Sequence, residues 1–199
     1  MGLRERKKLA TRNRLVDAAL RRFAENGYDA TTVEEIAADA QVSVTTFFRY
    51  FRSKDEILFI DADSATPDFC AALTARPADE PDLEAIRQVL RTFHVREDPH
   101  DDPQRRLRQH RVVAATPVLR GRYHEVSARW QHEVAAGLSQ RQVASPDDRN
   151  VRLTAAIALA IVSFADDEWC AHEGALDWVT ILDEAFESHA ALAQSSLDP

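Results

Sequence analysis

The stretch Thr31–Lys54, TTVEEIAADAQVSVTTFFRYFRSK, decides the fold. Its opening, Thr32-Val-Glu-Glu35, is a capping box: the Thr32 hydroxyl accepts from the Glu35 backbone N–H while the Glu35 carboxylate reaches back. A short helix therefore starts at Val33 and runs to about Asp39. Ser43 is the N-cap of another, from Val44 to about Phe51. Ile36, Ala37, Ala40, Val42, Phe47 and Phe51 supply the apolar contacts that hold two such helices crosswise. That is the geometry of a helix-turn-helix. Ser53-Lys-Asp-Glu56 reads as a further capping box, opening a fourth helix through Ile57, Leu58 and Ile60.

Upstream, Leu9, Val16, Leu20 and Phe23 form one apolar stripe, which predicts a helix from about Glu5 to Asn26 stopped by Gly27. Downstream, prolines at 67, 81, 117 and 146 follow Thr66, Glu80, Thr116 and Ser145 and fit first-turn positions. They predict helices over about 67–76, 81–96, 117–140 and 146–172, with others over about 103–115 and 175–194. An acidic loop fills 97–103 and a second loop lies in 140–150. Glycine is rare and strand-like alternation absent, so the chain reads as all-α: an N-terminal three-helix helix-turn-helix domain (1–54) and a helical-bundle body (55–199).

The charge follows the same division. The 199 residues carry 25 Lys+Arg and 33 Asp+Glu, net −8. Residues 1–54 hold 11 basic and 7 acidic side chains, net +4, and 55–199 hold 14 and 26, net −12. A small basic module on an acidic body points to nucleic acid for the module. Apolar content of 45% and charged content of 29% suit a globular chain. No apolar run reaches the roughly 18 residues of a membrane helix, and the polar, basic N-terminus lacks a signal-peptide core, so a cytoplasmic protein with no membrane partner is expected. Cys70 and Cys170 read as two separate buried thiols.

The face of the second short helix carries the chemistry. Thr45, Thr46, Arg49 and Tyr50 can bond base edges or phosphates, and the Phe48 ring edge can touch a thymine methyl. Lys54, at a helix start, is placed to meet a phosphate. The basic run Arg4–Lys8 is either an arm along phosphates or a minor groove, or a solvated tail.

These pieces together resemble the TetR family of transcriptional regulators. The match spans about Arg12 to Leu58: Phe23-Ala-Glu-Asn-Gly-Tyr28, Thr31-Thr-Val-Glu-Glu-Ile-Ala37, Val42-Ser43, Thr46-Phe-Phe-Arg-Tyr-Phe51 and Ser53-Lys54. The branch resembles actinobacterial regulators. The resemblance implies a homodimer on a palindromic double-stranded DNA operator, released by a small-molecule effector. It implies phosphate contacts from Thr32, Arg49, Tyr50 and Lys54, with Val44, Thr45 and Phe48 near base edges; Ser43 and Thr46 complete the DNA-binding candidates. Phe47 and Phe51 are core. Departures from the family pattern are Gln41 in the turn, where left-handed backbone is expected, and Val44, Phe48 and Arg52.

The body must dimerise and sense. Val151–Phe164 is apolar on nearly all sides, and the last two helices, about 146–194, are the expected dimer interface by resemblance. Candidate pocket residues are Phe93, Leu107, His110, Arg111, Tyr123, Trp130, Phe164 and Trp169. Arg111, beside Val112-Val-Ala-Ala115, either holds an anionic ligand group, pairs internally or lies at the surface. An acyl or other lipophilic effector is the first expectation, with no cofactor. The alternatives are a metal-responsive regulator using Glu168 and His172, and a helical-bundle enzyme. The enzyme lacks a GxSxG, P-loop or GxGxxG motif, and its one Glu-x-x-His falls at Glu97–His100 in the acidic loop.

Overall fold

The computed structural model describes residues 2–94, 102–142 and 145–195, with side chains for all of these except 3, 60–64 and 94. Among the described residues every regular element is a helix. They are α1 (Leu3–Asn26), α2 (Val33–Asp39), α3 (Val44–Tyr50), α4 (Glu56–Thr74), α5 (Asp82–His94), α6 (Pro103–Ala115), α7 (Pro117–Gln142), α8 (Arg149–Ala171) and α9 (Trp178–Ser195). The acidic loop's residues 97–101, His100 among them, and residues 143–144 of the later loop lie outside the described residues.

Contacts divide the chain into two compact units, one of Met1–Asp63 with Asp98–His124, the other of Ser64–Glu97 with Glu125–Pro199. The division thus falls inside α4 and inside α7, and α6 goes with the N-terminal unit. The charge contrast survives this redrawing: 17 basic against 14 acidic side chains in the first unit, net +3, and 8 against 19 in the second, net −11.

In the N-terminal unit α1 buries Leu15, Val16, Ala19, Leu20 and Phe23, a stripe that recurs every three to four residues. Gly27 closes the helix at φ 83°, its N–H donating to the Phe23 carbonyl at 3.1 Å. Arg4–Lys8 are the first turns of α1, exposed, rather than an arm or tail beyond it. Phe47 and Phe51, one helical turn apart, are fully buried with ring centroids 5.6 Å apart. Each such burial contributes roughly 1.5–3 kcal/mol. On α6, Arg105 pairs with Asp17 of α1 at 3.4 Å, and Gln109 donates to the Leu58 carbonyl.

The second unit is built around Phe69, whose ring meets Phe93 at 5.6 Å and Trp130 at 5.3 Å, both edge-on. Leu73, Ile86, Val89, Leu138, Val151, Ala155 and Ala158 complete this core. A Cβ on Gly137 would lie 3.3 Å from the Leu73 side chain, so α7 and α4 approach closely there. Between α8 and α9, Trp178 Nε1 donates to the half-buried Asp166 at 2.8 Å. Cys70 and Cys170 form no disulfide and are only half-buried, short of the full burial expected.

Several helix boundaries depart from the sequence reading, among them the start of α9 at Trp178 rather than about 175. α4 runs on through Pro67 instead of breaking there. An interior proline costs about 3 kcal/mol, having no N–H for the carbonyl four residues back. Continuation keeps Phe69 and Leu73 on one buried face, which offsets that cost. The Glu56 carboxylate does reach back, but to the Arg52 N–H, and α4 begins at Glu56 with no cap at Ser53. α8 begins at Arg149, capped by Asp148, whose Oδ1 accepts from Asn150 N at 2.8 Å.

Candidate nucleic-acid interface

The interface is built from two caps and a tight turn. Thr32 Oγ1 accepts from Glu35 N at 3.2 Å, and Glu35 Oε2 accepts from Thr32 N at 2.9 Å. The bonds that Glu35 Oε2 accepts from Thr32 N and from the Thr32 hydroxyl hold the carboxyl below its ordinary range. Arg22 on α1 forks onto Asp39 at the end of α2, at 2.6 and 2.7 Å, and lowers that carboxyl as well. The two short helices cannot be stable alone. Their caps, this ion pair and the buried Ile36, Ala37 and Phe47 fix them against α1.

The turn is a Schellman motif. Val42 N donates to Ala37 O at 2.9 Å and Gln41 N to Ala38 O at 3.0 Å. Gln41 carries the left-handed backbone that the motif demands, φ 55°, as expected for a residue standing where glycine is the easy choice. Ser43 then caps α3, accepting from Thr46 N at 3.1 Å, and its Oγ lies 2.9 Å from the Thr46 hydroxyl. Those two hydroxyls are thus engaged with each other in the cap.

α3 turns Phe47 inward and Thr45, Phe48 and Arg49 outward, with Val44, Thr46 and Tyr50 half-exposed. Phe48 is 54% exposed with its ring edge-on to Phe47. An exposed ring edge beside Thr45 and Arg49 is of the kind that can touch a thymine methyl. The Arg49 guanidinium lies 5.4 Å from the Tyr50 ring centroid. Thr32 is exposed at the α2 end of the same module.

Lys54 is placed differently from the sequence reading's free phosphate ligand. Its ammonium donates to the Tyr28 carbonyl at 2.6 Å and the Thr31 carbonyl at 2.9 Å, and sits 4.2 Å from the Tyr28 ring centroid. It clamps the α1–α2 connection. Nothing local in the sequence signals this, because its acceptors lie 23 and 26 residues away.

The candidate pocket residues fall in both units. Phe93 and Trp130 meet on Phe69, and Trp169 is buried against Gly174, where an added Cβ would come within 2.9 Å of the indole. Phe164 is 54% exposed on α8. Leu107, His110, Arg111 and Tyr123 belong to the N-terminal unit, Leu107 buried, His110 and Tyr123 half-buried, and Arg111 exposed. Among the described residues the deeply buried arginine is Arg141, 6% exposed, which nothing in the sequence pattern singles out. It donates to the Pro77 carbonyl at 3.0 Å, to the Glu80 carbonyl and to Asp82. His172 Nδ1 lies 2.9 Å from the Glu168 backbone carbonyl, a helix-end contact. Among the described residues no three His, Cys, Asp or Glu side chains cluster, and no helix is long and apolar enough to cross a membrane.

Comparison with known proteins agrees with this geometry. A family model described as "Bacterial regulatory proteins, tetR family" matches residues 15–59, and one described as "MftR C-terminal domain" matches residues 80–194. The chain is 34% identical over 173 residues to the HTH-type transcriptional regulator TcmR of Streptomyces glaucescens, covering 84% of this chain and 76% of TcmR. In fold it is similar to SmeT of Stenotrophomonas maltophilia in complex with triclosan, with TM-score 0.57, 19% identity, and 90% and 91% of the two chains covered. It is also similar to the repressor FadR of Thermus thermophilus in complex with lauroyl-CoA, with TM-score 0.51, 21% identity, and 88% and 91% covered. With its capped helix-turn-helix, its all-helical body and matches across most of its length, the chain belongs to the TetR family of bacterial transcriptional regulators.

Proposed function

We propose that the chain is a cytoplasmic repressor that binds a palindromic operator as a homodimer and is released by a small lipophilic effector. The observation that carries the DNA reading is the outward face of α3, where Phe48, Arg49 and Thr45 are exposed beside a buried Phe47. Arg49, Tyr50 and Thr32 take phosphates, and Val44, Thr45 and Phe48 approach base edges. Ser43 and Thr46 set the pitch of the reading helix through their cap. Residues 1–54 form the DNA-binding domain and 55–199 the sensing and dimerising body. The chain acts by binding rather than by catalysis.

Dimerisation is supported by α8. Leu153, Ile157, Ala160 and Phe164 recur at spacings of three and four, and Leu153 and Phe164 are each 54% exposed. A helix apolar on this outer stripe as well as on its buried one needs a partner surface. Leu192 on α9 is exposed as well. Binding of triclosan by SmeT and of lauroyl-CoA by FadR supports a lipophilic effector. An effector that binds the DNA-incompetent dimer more tightly lowers operator affinity by shifting the population. Sedimentation equilibrium at micromolar concentration tests the assembly. A dimer that Phe164→Glu converts to a folded monomer with lost operator binding is expected, and a wild-type monomer with intact helicity would refute it.

A further inference from the structure

One face of α8 runs Arg149, Leu153, Ile157, Ala160, Phe164, Glu168, at spacings of four, four, three, four and four residues. That spacing keeps all six on one stripe. Arg149, Leu153, Ala160 and Phe164 are exposed, and Ile157 and Glu168 are half-buried. The stripe is thus basic at its N-terminal end, apolar in the middle and acidic at its C-terminal end. This order opposes the helix's own dipole, whose N-terminus favours anions and whose C-terminus favours cations. Beyond the Asp148 cap, the first turn holds no acidic residue and the last no basic one. Arg149 and Arg152 line a groove of about 480 Å³ between α7 and α8, together with His132, Leu153 and Ala156. Asp147 is the one carboxylate among its described lining residues. Among the described residues neither guanidinium has an ion-pair or hydrogen-bond partner, and nor has the Glu168 carboxylate.

We propose that α8 pairs antiparallel with α8 of a second copy of this chain, centred between Ala158 and Leu159, so that Arg149 meets Glu168 of the partner subunit. Leu153 and Phe164 lie equally far from that centre, as do Ile157 and Ala160, and Arg149 and Glu168. The antiparallel register therefore sets Leu153 against the partner's Phe164 and Ile157 against the partner's Ala160, with a charge pair outside them. In a twofold pair each contact occurs twice, so both ends of the stripe are matched at once. Each positive N-terminus also lies beside the partner's negative C-terminus, which relieves the misplaced charges. A parallel pair would bring Arg149 to Arg149 and Glu168 to Glu168, with like charges at both ends. This register rests on the homodimer reading above and adds its direction and centre.

Sedimentation equilibrium of the full chain reads the charge pair. Arg149→Glu and Glu168→Arg should each weaken the dimer about fivefold or more, and the two combined in one chain should restore it to within about twofold of the wild type. Both reversals suit the dipole of the isolated helix, so helicity is kept and the loss reports on the interface. Single reversals without effect, or losses that add in the double variant, would overturn the pairing. Pulsed dipolar spectroscopy reads the direction independently of affinity, with Cys70→Ser and Cys170→Ser removing the native thiols. A nitroxide on Asn150→Cys should lie roughly 25–30 Å from its copy and one on Ala171→Cys roughly 35–40 Å, because the separation grows by about 3 Å per residue from the centre. Equal, short separations at both positions would show a parallel pair and overturn the register. A dimer whose separations do not follow this order loses the register and keeps the homodimer reading. A monomer at micromolar concentration loses both.

Discussion

Replacing Lys54 with methionine separates two roles that one ammonium can play. As a clamp, its Nζ makes two charge-assisted hydrogen bonds, to Tyr28 O at 2.6 Å and Thr31 O at 2.9 Å, and a cation–π contact 4.2 Å from the Tyr28 ring centroid. Hydrogen bonds to charged groups contribute about 1.5–3 kcal/mol each, and the ring contact about 0.5–1 kcal/mol. These are not additive, and freeing a lysine side chain returns up to roughly 2 kcal/mol of rotamer entropy. Methionine keeps the apolar stem, so the net cost of Lys54→Met comes to about 2–3 kcal/mol, felt locally at the α1–α2 connection. Amide hydrogen exchange at residues 31–40 reads that directly: protection should fall about 30- to 150-fold there and hold steady in α8 and α9. The salt dependence of operator binding reads the other role. Loss of a phosphate contact flattens the log–log salt slope by about 0.9 per contact. The clamp account predicts weaker operator binding with an unchanged slope. Unaltered protection together with a flatter slope would refute it and restore Lys54 as a phosphate ligand.

Two further substitutions test the scaffold. Gln41→Gly should stabilise the chain by about 0.5–1 kcal/mol. It removes a left-handed penalty of roughly 1–2 kcal/mol and gives back part of it through a looser unfolded chain; a loss of stability in a urea titration would contradict the φ 55° turn. Arg141→Met should cost about 3–5 kcal/mol, because it strands the Pro77 and Glu80 carbonyls and half of the Asp82 carboxylate. Gln142 retains its bond to Asp82 and places the value toward the lower end; a cost under about 1 kcal/mol in the same titration would show that the buried arginine holds nothing.

What the sequence reveals of this molecule is what is local. Thr32, Glu35 and Ser43 announce the starts of α2 and α3 because capping involves side chains two or three residues from the backbone they satisfy. Phe47 and Phe51 separate from Phe48 by helical spacing alone, and the structure buries the first two and exposes the third. What escapes is set by partners distant in the chain. Lys54 looks like a free cation until the Tyr28 and Thr31 carbonyls come to it. Arg111 beside four apolar residues looks more buried than Arg141 in a polar run, yet Arg141 is the one enclosed, by acceptors about sixty residues upstream. Pro67 carries a breaker's signal that the burial of Phe69 and Leu73 overrides. Residue type alone does not separate half-buried aromatics packed on Phe69, such as Phe93 and Trp130, from an exposed one such as Phe164.

The most direct test of the central claim is selection of bound duplexes from a random DNA pool by the wild-type chain, followed by affinity measurement with Arg49→Ala across a salt series. The account predicts an inverted repeat, with half-sites that match the symmetry of a dimer. It also predicts that Arg49→Ala weakens binding and flattens the salt slope without loss of helicity. Recovery of no preferred sequence, or a preferred sequence bound equally well and with the same slope by Arg49→Ala, would contradict it.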